Sequence, residues 1–295
     1  MVGMRVRLVR GLRRAAAAAS FLVICVGCLG GCAADRAASD PTSVSRPTIG
    51  PVETTVRVLQ MNLCNSGRAE CYSGGRAVSM AVALVHQHRP DMVSLNEVCR
   101  DDLRVLKQAM SASFPSAAVA SAFTAAKDRP TQAPVRCQNG QQFGDGTLVV
   151  VSSPARGFRT YSGVYPVQDP HDPEERVWVC IHLATRFSAC TTHTASTNTT
   201  IALNQCRYLL NSVVPRIGHR NGGDPIIVGA DLNLAARGSP SPQQCLPTGY
   251  QRTDDGALQN VVVSPGTEVR SHSVIDMHGT TDHPGLLVDV VLSGP

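Results

Sequence analysis

The sequence predicts an α/β protein, a four-layer α/β/β/α sandwich in which two mixed sheets pack face to face with helices outside. Three observations carry this expectation. Eight short apolar, β-branched runs have strand length, at 56–62, 92–97, 147–152, 177–181, 187–192, 225–231, 258–264 and 286–292. Three longer segments, 76–89, 101–110 and 201–217, read as helices interspersed among them. Some runs follow each other closely enough for hairpins, whereas others are separated by a helix. Hairpins give antiparallel neighbours and crossover helices give parallel ones, so a chain with both builds mixed sheets.

In the first helix Val78, Ala81, Val82 and Val85 recur at the spacing of one helical face. Its His86 and His88 then sit on the helix surface. Several strands close on a polar residue, which places chemistry where strands end.

The chain opens differently. Arg5, Arg7, Arg10, Arg13 and Arg14 precede an apolar run at 15–29 that ends in small residues, the order of a secretory signal. The run is short for a membrane span of roughly 20 residues. Leu29-Gly30-Gly31-Cys32 resembles a lipobox, which implies cleavage before Cys32 and a lipid on its thiol. Plain cleavage near Ala34 and release is the other reading, and both export the protein. Residues 1–32 are therefore read as a lipoprotein signal peptide, 33–53 as a flexible tether rich in Ala, Ser, Thr, Pro and Asp, and 54–295 as one domain. The expected location is the outer face of the cell membrane, or the medium.

Export changes the charge balance. The sequence has 27 Lys and Arg against 22 Asp and Glu, but five of the basic residues leave with the signal, so the mature chain carries 22 of each. Without a positive excess a processive nucleic-acid binder is disfavoured. Aromatic residues, at 4% of the chain, also leave little for a base-stacking platform. Of the 11 cysteines, Cys25, Cys28 and Cys32 belong to the signal; the remaining eight, even in number in an exported chain, point to disulfides rather than metal thiolates. Cys64 with Cys71 would clip one loop.

Asn62, Glu97, His193 and Asp231 close apolar runs, Asn233 follows two residues after Asp231, and Asp282 with His283 precedes the last run. One such residue is ordinarily a turn or cap residue. Together they read as a site. There is no Gly-x-Ser-x-Gly elbow for a serine hydrolase and no His-Glu-x-x-His for a zinc hydrolase.

The pattern resembles the endonuclease/exonuclease/phosphatase superfamily, which includes deoxyribonuclease I, apurinic endonucleases, bacterial sphingomyelinases and inositol polyphosphate phosphatases. The resemblance runs from about Val56 to Leu292. It is carried by QMN at 60–62, RPDMVSLNEV at 89–98, FGDGTLVVVSS at 143–153, EER at 174–176, CTTHTA at 190–195, VGADLNL at 228–234 and TDH at 281–283. It implies the deoxyribonuclease I-like form of the sandwich and a Mg²⁺- or Mn²⁺-dependent hydrolase of phosphate esters. Asn62 and Glu97 would serve the metal, and Arg176 would touch substrate phosphate. His193, Asp231, Asn233, Asp282 and His283 would be catalytic, with Asp282 fixing a histidine tautomer. His182 could also be read as the Thr-His histidine, but the family's order of segments favours His193. That choice makes 177–181 and 187–192 a hairpin across which Cys180 and Cys190 lie opposite. The family's Asp in its Ile-Asp-Tyr-Ile segment is matched here by Gln259 in LQNVVVS at 258–264. A catalytically inactive binding module on the same fold is therefore the rival reading. Expected partners are a phosphate-ester substrate, nucleic acid or phospholipid among them, and the membrane through Cys32; a monomer is expected.

Overall fold

In the computed structural model the described residues are 53–152, 157–184 and 186–293; the signal segment with Cys32 and the tether to residue 52 lie outside them. In chain order the elements are β1 (Thr54–Asn62), α1 (Arg76–His88), β2 (Met92–Cys99), α2 (Arg100–Ser113), β3 (Ala118–Ala125), β4 (Phe143–Val151), β5 (Phe158–Val164), β6 (Val177–Leu183), β7 (Phe187–His193), α3 (Thr199–Tyr208), α4 (Val214–Arg220), β8 (Ile226–Asp231), β9 (Gln251–Asp254), β10 (Gln259–Val263), β11 (Thr267–Ile275) and β12 (Gly285–Leu292). They form two six-stranded sheets, ordered β11-β12-β1-β2-β4-β3 and β5-β6-β7-β8-β10-β9. β1 runs parallel to β2 and β7 parallel to β8; the remaining neighbours are antiparallel. Helix α1 crosses over within the first parallel pair, and α3 with α4 within the second, as parallel neighbours require.

The expected helices form at nearly the expected bounds. The third is divided: between α3 and α4 a π-helical turn spans Leu209–Val213. Pro215 follows at once and has no N–H to give the carbonyl of residue 211, and such a lost rung widens a helix locally. Asn198 caps α3, its side chain accepting from the N–H groups of Thr200 and Ile201. Among the described residues no helix is long and apolar enough to cross a membrane.

All eight expected runs are strands, and all eight lie inside the sheets. The sequence reading misses β3, β5, β9 and β11, which are the four sheet edges. Edge strands meet the core on one side only, so their residues need not be apolar: Phe158–Val164 and Thr267–Ile275 are mostly exposed or half-buried.

The core has three layers. Leu59, Met61, Val93 and Leu95 pack outward against Ala81, Leu84, Leu103 and Leu106 of α1 and α2. Val228, Ala230 and Val262 pack outward against Ala202, Cys206 and Leu210 of the α3–α4 arm. Between the sheets lie Val56, Val58, Met92, Phe187, Ala189, Ile227, Val261, Val263, Val288 and Val290. Burying each Val, Ile, Phe or Met among them contributes about 1.5–3 kcal/mol. Four disulfides staple the elements: Cys64–Cys71, Cys99–Cys137, Cys180–Cys190 and Cys206–Cys245. Cys180 and Cys190 are direct partners across the β6–β7 hairpin, as expected.

Candidate active site

Strand direction brings the site residues to one rim. β1, β2, β7 and β8 end where β6, β10 and β12 begin, so Asn62, Glu97, His193, Asp231, Arg176, Gln259 and His283 meet at one rim. His182 sits toward the opposite end of β6, against Ser188 and 3.8 Å from Asp224. The structure therefore brings His193, not His182, into the cluster.

Along each inner strand the residues facing the other sheet change character toward this rim. Val56 and Val58 give way to Gln60 and Asn62, Met92 to Ser94 and Asn96, Phe187 and Ala189 to Thr191 and His193, and Ile227 to Gly229 and Asp231. On β10, which runs the other way, Val263 and Val261 lead to Gln259. All the polar members of this layer are buried. Buried polar groups are costly unless paired, and here they pair largely with one another, although Gln60 Oε1 is buried without a partner. Asn96 Oδ1 accepts from the Asp231 backbone N–H at 3.0 Å and from Gln60 Nε2 at 2.7 Å. Gln60 Nε2 also donates to Gln259 Oε1 at 2.9 Å, and Asn96 Nδ2 donates to Asp145 Oδ1 at 3.1 Å. Ser94 Oγ donates to Thr191 Oγ1 at 2.8 Å.

Glu97 reaches the site by breaking the alternation. The β2–β4 register slips between Leu95 and Val98, and Glu97 sits there in the left-handed region, φ 55°. Such a bulge re-aims a side chain, and a left-handed non-glycine residue at a bulge is strain held by its surroundings. Asn233, φ 48°, is left-handed too, as is Cys64, φ 45°; the Asn233 N–H donates to Asp231 Oδ1 at 3.1 Å and its Nδ2 to the Thr194 carbonyl at 2.9 Å.

Asn62 ties the carboxylates together. Its Oδ1 accepts from the Cys64 N–H, which turns Nδ2 toward Glu97 Oε1 at 2.9 Å and Asp231 Oδ2 at 3.1 Å. Asn62 is thus a bridge between two acids, with its oxygen already engaged. Burial raises the Glu97 carboxyl above its ordinary range, Asn62 lowers it and the neighbouring Asp231 charge raises it again. Asp145, wholly buried, is pushed up to about 8 by burial, although its bond from Asn96 works the other way.

Arg176 differs from the expectation. The family resemblance places it against substrate phosphate, but its side chain, only 7% exposed, is turned inward. Nε and Nη2 donate to Asp172 Oδ2 at 3.2 and 2.8 Å, Nη2 also to Ser196 Oγ at 3.2 Å, and Nη1 lies 3.3 Å from Glu174 Oε1 and 3.0 Å from His193 Nδ1. A buried cation needs such partners, and the loop before β6 supplies its two carboxylates, Asp172 and Glu174. Guanidinium nitrogens only donate, so His193 Nδ1 accepts and the ring presents Nε2–H toward Glu97 Oε1, 3.9 Å away. Burial first, then the charges of Arg176 and His283, hold the His193 ring well below the ordinary histidine range.

Asp282 also differs. Its side chain is 55% exposed, and its nearest approach to a histidine is 3.7 Å, from Oδ1 to His283 Nε2. It accepts instead from Thr281 Oγ1 at 3.3 Å, beside the Cys64–Cys71 disulfide. Those two sulfurs are bonded to each other, so the trio is not a thiolate metal site. His283 Nε2 lies 3.6 Å from Asp231 Oδ2, and its Nδ1 3.3 Å from Gln259 Nε2.

Gln60, Asn96, Asp145 and Thr191 are site residues that the sequence reading passes over. The signal was present: Gln60 shares the inward period of Asn62, and Asn96 precedes Glu97 in an otherwise apolar run.

A family model described as the Endonuclease/Exonuclease/phosphatase family matches residues 76–283. At the level of sequence no curated protein matches the chain. Among solved structures, an endonuclease/exonuclease/phosphatase family protein from Bacteroides thetaiotaomicron superposes with a TM-score of 0.60 at 15% identity, covering 83% of this chain and 97% of that one. The human Nocturnin catalytic domain with bound sulfate gives 0.58 at 15% identity, covering 85% and 100%. A mannosyl-6-phosphatase from Bacteroides thetaiotaomicron gives 0.57 at 15% identity, covering 80% and 100%. These likenesses show the sandwich fold.

Proposed function

Because the chain belongs to the endonuclease/exonuclease/phosphatase family, we propose that it is an exported, divalent-metal-dependent hydrolase of phosphate esters. The observation that carries the proposal is the pairing of Glu97 and Asp231 on a single amide, Asn62 Nδ2. Two carboxylates held this close repel, and their oxygens suit a hard cation such as Mg²⁺ or Mn²⁺. Glu97 would hold the ion, with Asn62 fixing its carboxylate. When bound, the ion supplies positive charge to the phosphoryl oxygens.

The protein's own groups account for the remaining steps. Asp231, anchored by Asn62, Gln259 and the Asn233 N–H, orients the attacking water and takes its proton. His193 donates a hydrogen bond from Nε2–H to a phosphoryl oxygen, with Arg176 holding the ring from behind, and as the water adds the P–O bond to the leaving group breaks, the leaving oxygen taking its proton from solvent at the open mouth. Arg176 thereby acts through His193 rather than on substrate. Asp282, at the exposed mouth, is placed to meet solvent or the leaving group.

An anchor on Cys32 would set this site near the outer face of the membrane, which favours phospholipid head groups and scavenged esters over chromosomal nucleic acid. The named neighbours include a sugar phosphatase and a domain that holds sulfate, a tetrahedral oxyanion. The second reading, a binding module without activity, is favoured by one observation: Gln259 puts an amide where the family resemblance expects an acid.

The test is hydrolysis of plasmid DNA, sphingomyelin and a chromogenic phosphodiester by the intact disulfide-bonded protein, with Mg²⁺ and with EDTA, alongside Glu97→Ala. Turnover that disappears with EDTA and in the variant supports the enzyme. Turnover that survives both sinks the metal mechanism; a folded protein that neither turns over substrate nor binds Mg²⁺ by calorimetry is the binding module.

A further inference from the structure

His283 faces an amide whose orientation the surrounding bonds fix. The Asp231 backbone N–H donates to Asn96 Oδ1, so that atom is an acceptor. Gln60 lies 2.7 Å from the same oxygen and must turn its NH₂ toward it. That same NH₂ meets Gln259 at 2.9 Å, which makes the Gln259 atom on that side Oε1. Gln259 Nε2 is then the end that faces Asp231 Oδ2, at 2.8 Å, and His283 Nδ1, at 3.3 Å. Its two hydrogens serve these two neighbours. Reversing any amide in the chain would set oxygen against oxygen, so a main-chain N–H on β8 determines the polarity of a bond on β10.

We propose that Gln259 is a positioning residue that holds His283 as the Nε2–H tautomer, so that His283 offers a hydrogen bond to the site and does not accept a proton from water. Nδ1 of the ring is occupied by a donor, leaving Nε2 to carry the hydrogen; Nε2 is the atom that looks toward Asp231 and Asp282. The arrangement repeats that of His193, whose Nδ1 meets the Arg176 guanidinium. Two imidazoles, one closing β7 and one in the turn before β12, thus both present N–H, and proton acceptance is left to Asp231. A carboxylate at position 259 would reverse this, because it would take the hydrogen at Nδ1.

The proposal rests on the phosphate-ester reading for what the N–H donates to, but its test does not. Long-range ¹H–¹⁵N spectra of the intact protein labelled at histidine distinguish the two tautomers, and the His283 signals are identified by their loss in His283→Gln. The expected wild-type pattern is Nε2–H. Gln259→Met removes the donor and should give mixed tautomers, while Gln259→Glu should move the hydrogen to Nδ1; unchanged signals from the other histidines report an intact fold. An Nδ1–H pattern in the wild type overturns the proposal even if neither variant folds, as does an Nε2–H pattern that persists in both. Nε2–H in a protein that cleaves no phosphate ester leaves the tautomer standing and removes the enzymatic reading alone.

Discussion

The layer between the two sheets has two halves made by the same strands. At one end it is Val56, Val58, Phe187, Ile227, Val263 and Val288, all apolar and buried. At the other it is Gln60, Asn62, Asn96, Thr191, Asp231 and Gln259, equally buried and held by direct hydrogen bonds among themselves. Alternation along the strand is common to both halves; what changes is how position is enforced. Apolar contact is non-directional and tolerates small shifts, whereas each amide in the polar half has one orientation that satisfies its neighbours. The apolar half keeps the sheets together, and the polar half sets which atoms face the rim.

Substitutions in the two halves should separate these roles. The largest effect on turnover is expected from Asp231→Asn, which keeps the shape of the side chain but removes the proton acceptor; kcat of the folded protein should fall by about 10²- to 10⁴-fold, with a lowered melting temperature because the new NH₂ must face Asn62 Nδ2 and Gln259 Nε2 or the Asn233 N–H. A drop of under tenfold would move the base elsewhere. Phe187→Ala, in the apolar half, should do the reverse. It should destabilise by about 3–5 kcal/mol in denaturant titration while kcat of the folded protein stays near wild type. A large loss of kcat there would show that the halves are not separable. The smallest effect is expected from Gly229→Ala, at the junction, where a Cβ would run into the Ser94 side chain and Gln60 Oε1. Stability should fall by about 1–3 kcal/mol, and because Gln60 positions Gln259, turnover should fall with it. Lost stability with full activity would mean that the amide chain relaxes without disturbing the rim.

The sequence by itself determined the eight interior strands, since a strand covered on both faces must be a run of apolar residues. It also determined which strand ends carry chemistry, because Asn62, Glu97, His193 and Asp231 interrupt such runs at their last positions. Two disulfides were readable, one from a short loop and one from a hairpin; Cys99–Cys137 and Cys206–Cys245 join segments that only the fold brings near. The four edge strands were not readable, having one open side and therefore mixed composition. Nor was the inward turn of Arg176, which depends on Asp172 and Glu174 lying around it, or the exposure of Asp282 at the mouth. The polarity of Gln259 was the least accessible, because it is passed from the Asp231 main chain through Asn96 and Gln60. A residue type says how many hydrogen bonds a side chain can give or take, but only its neighbours in space decide which end gives and which end takes.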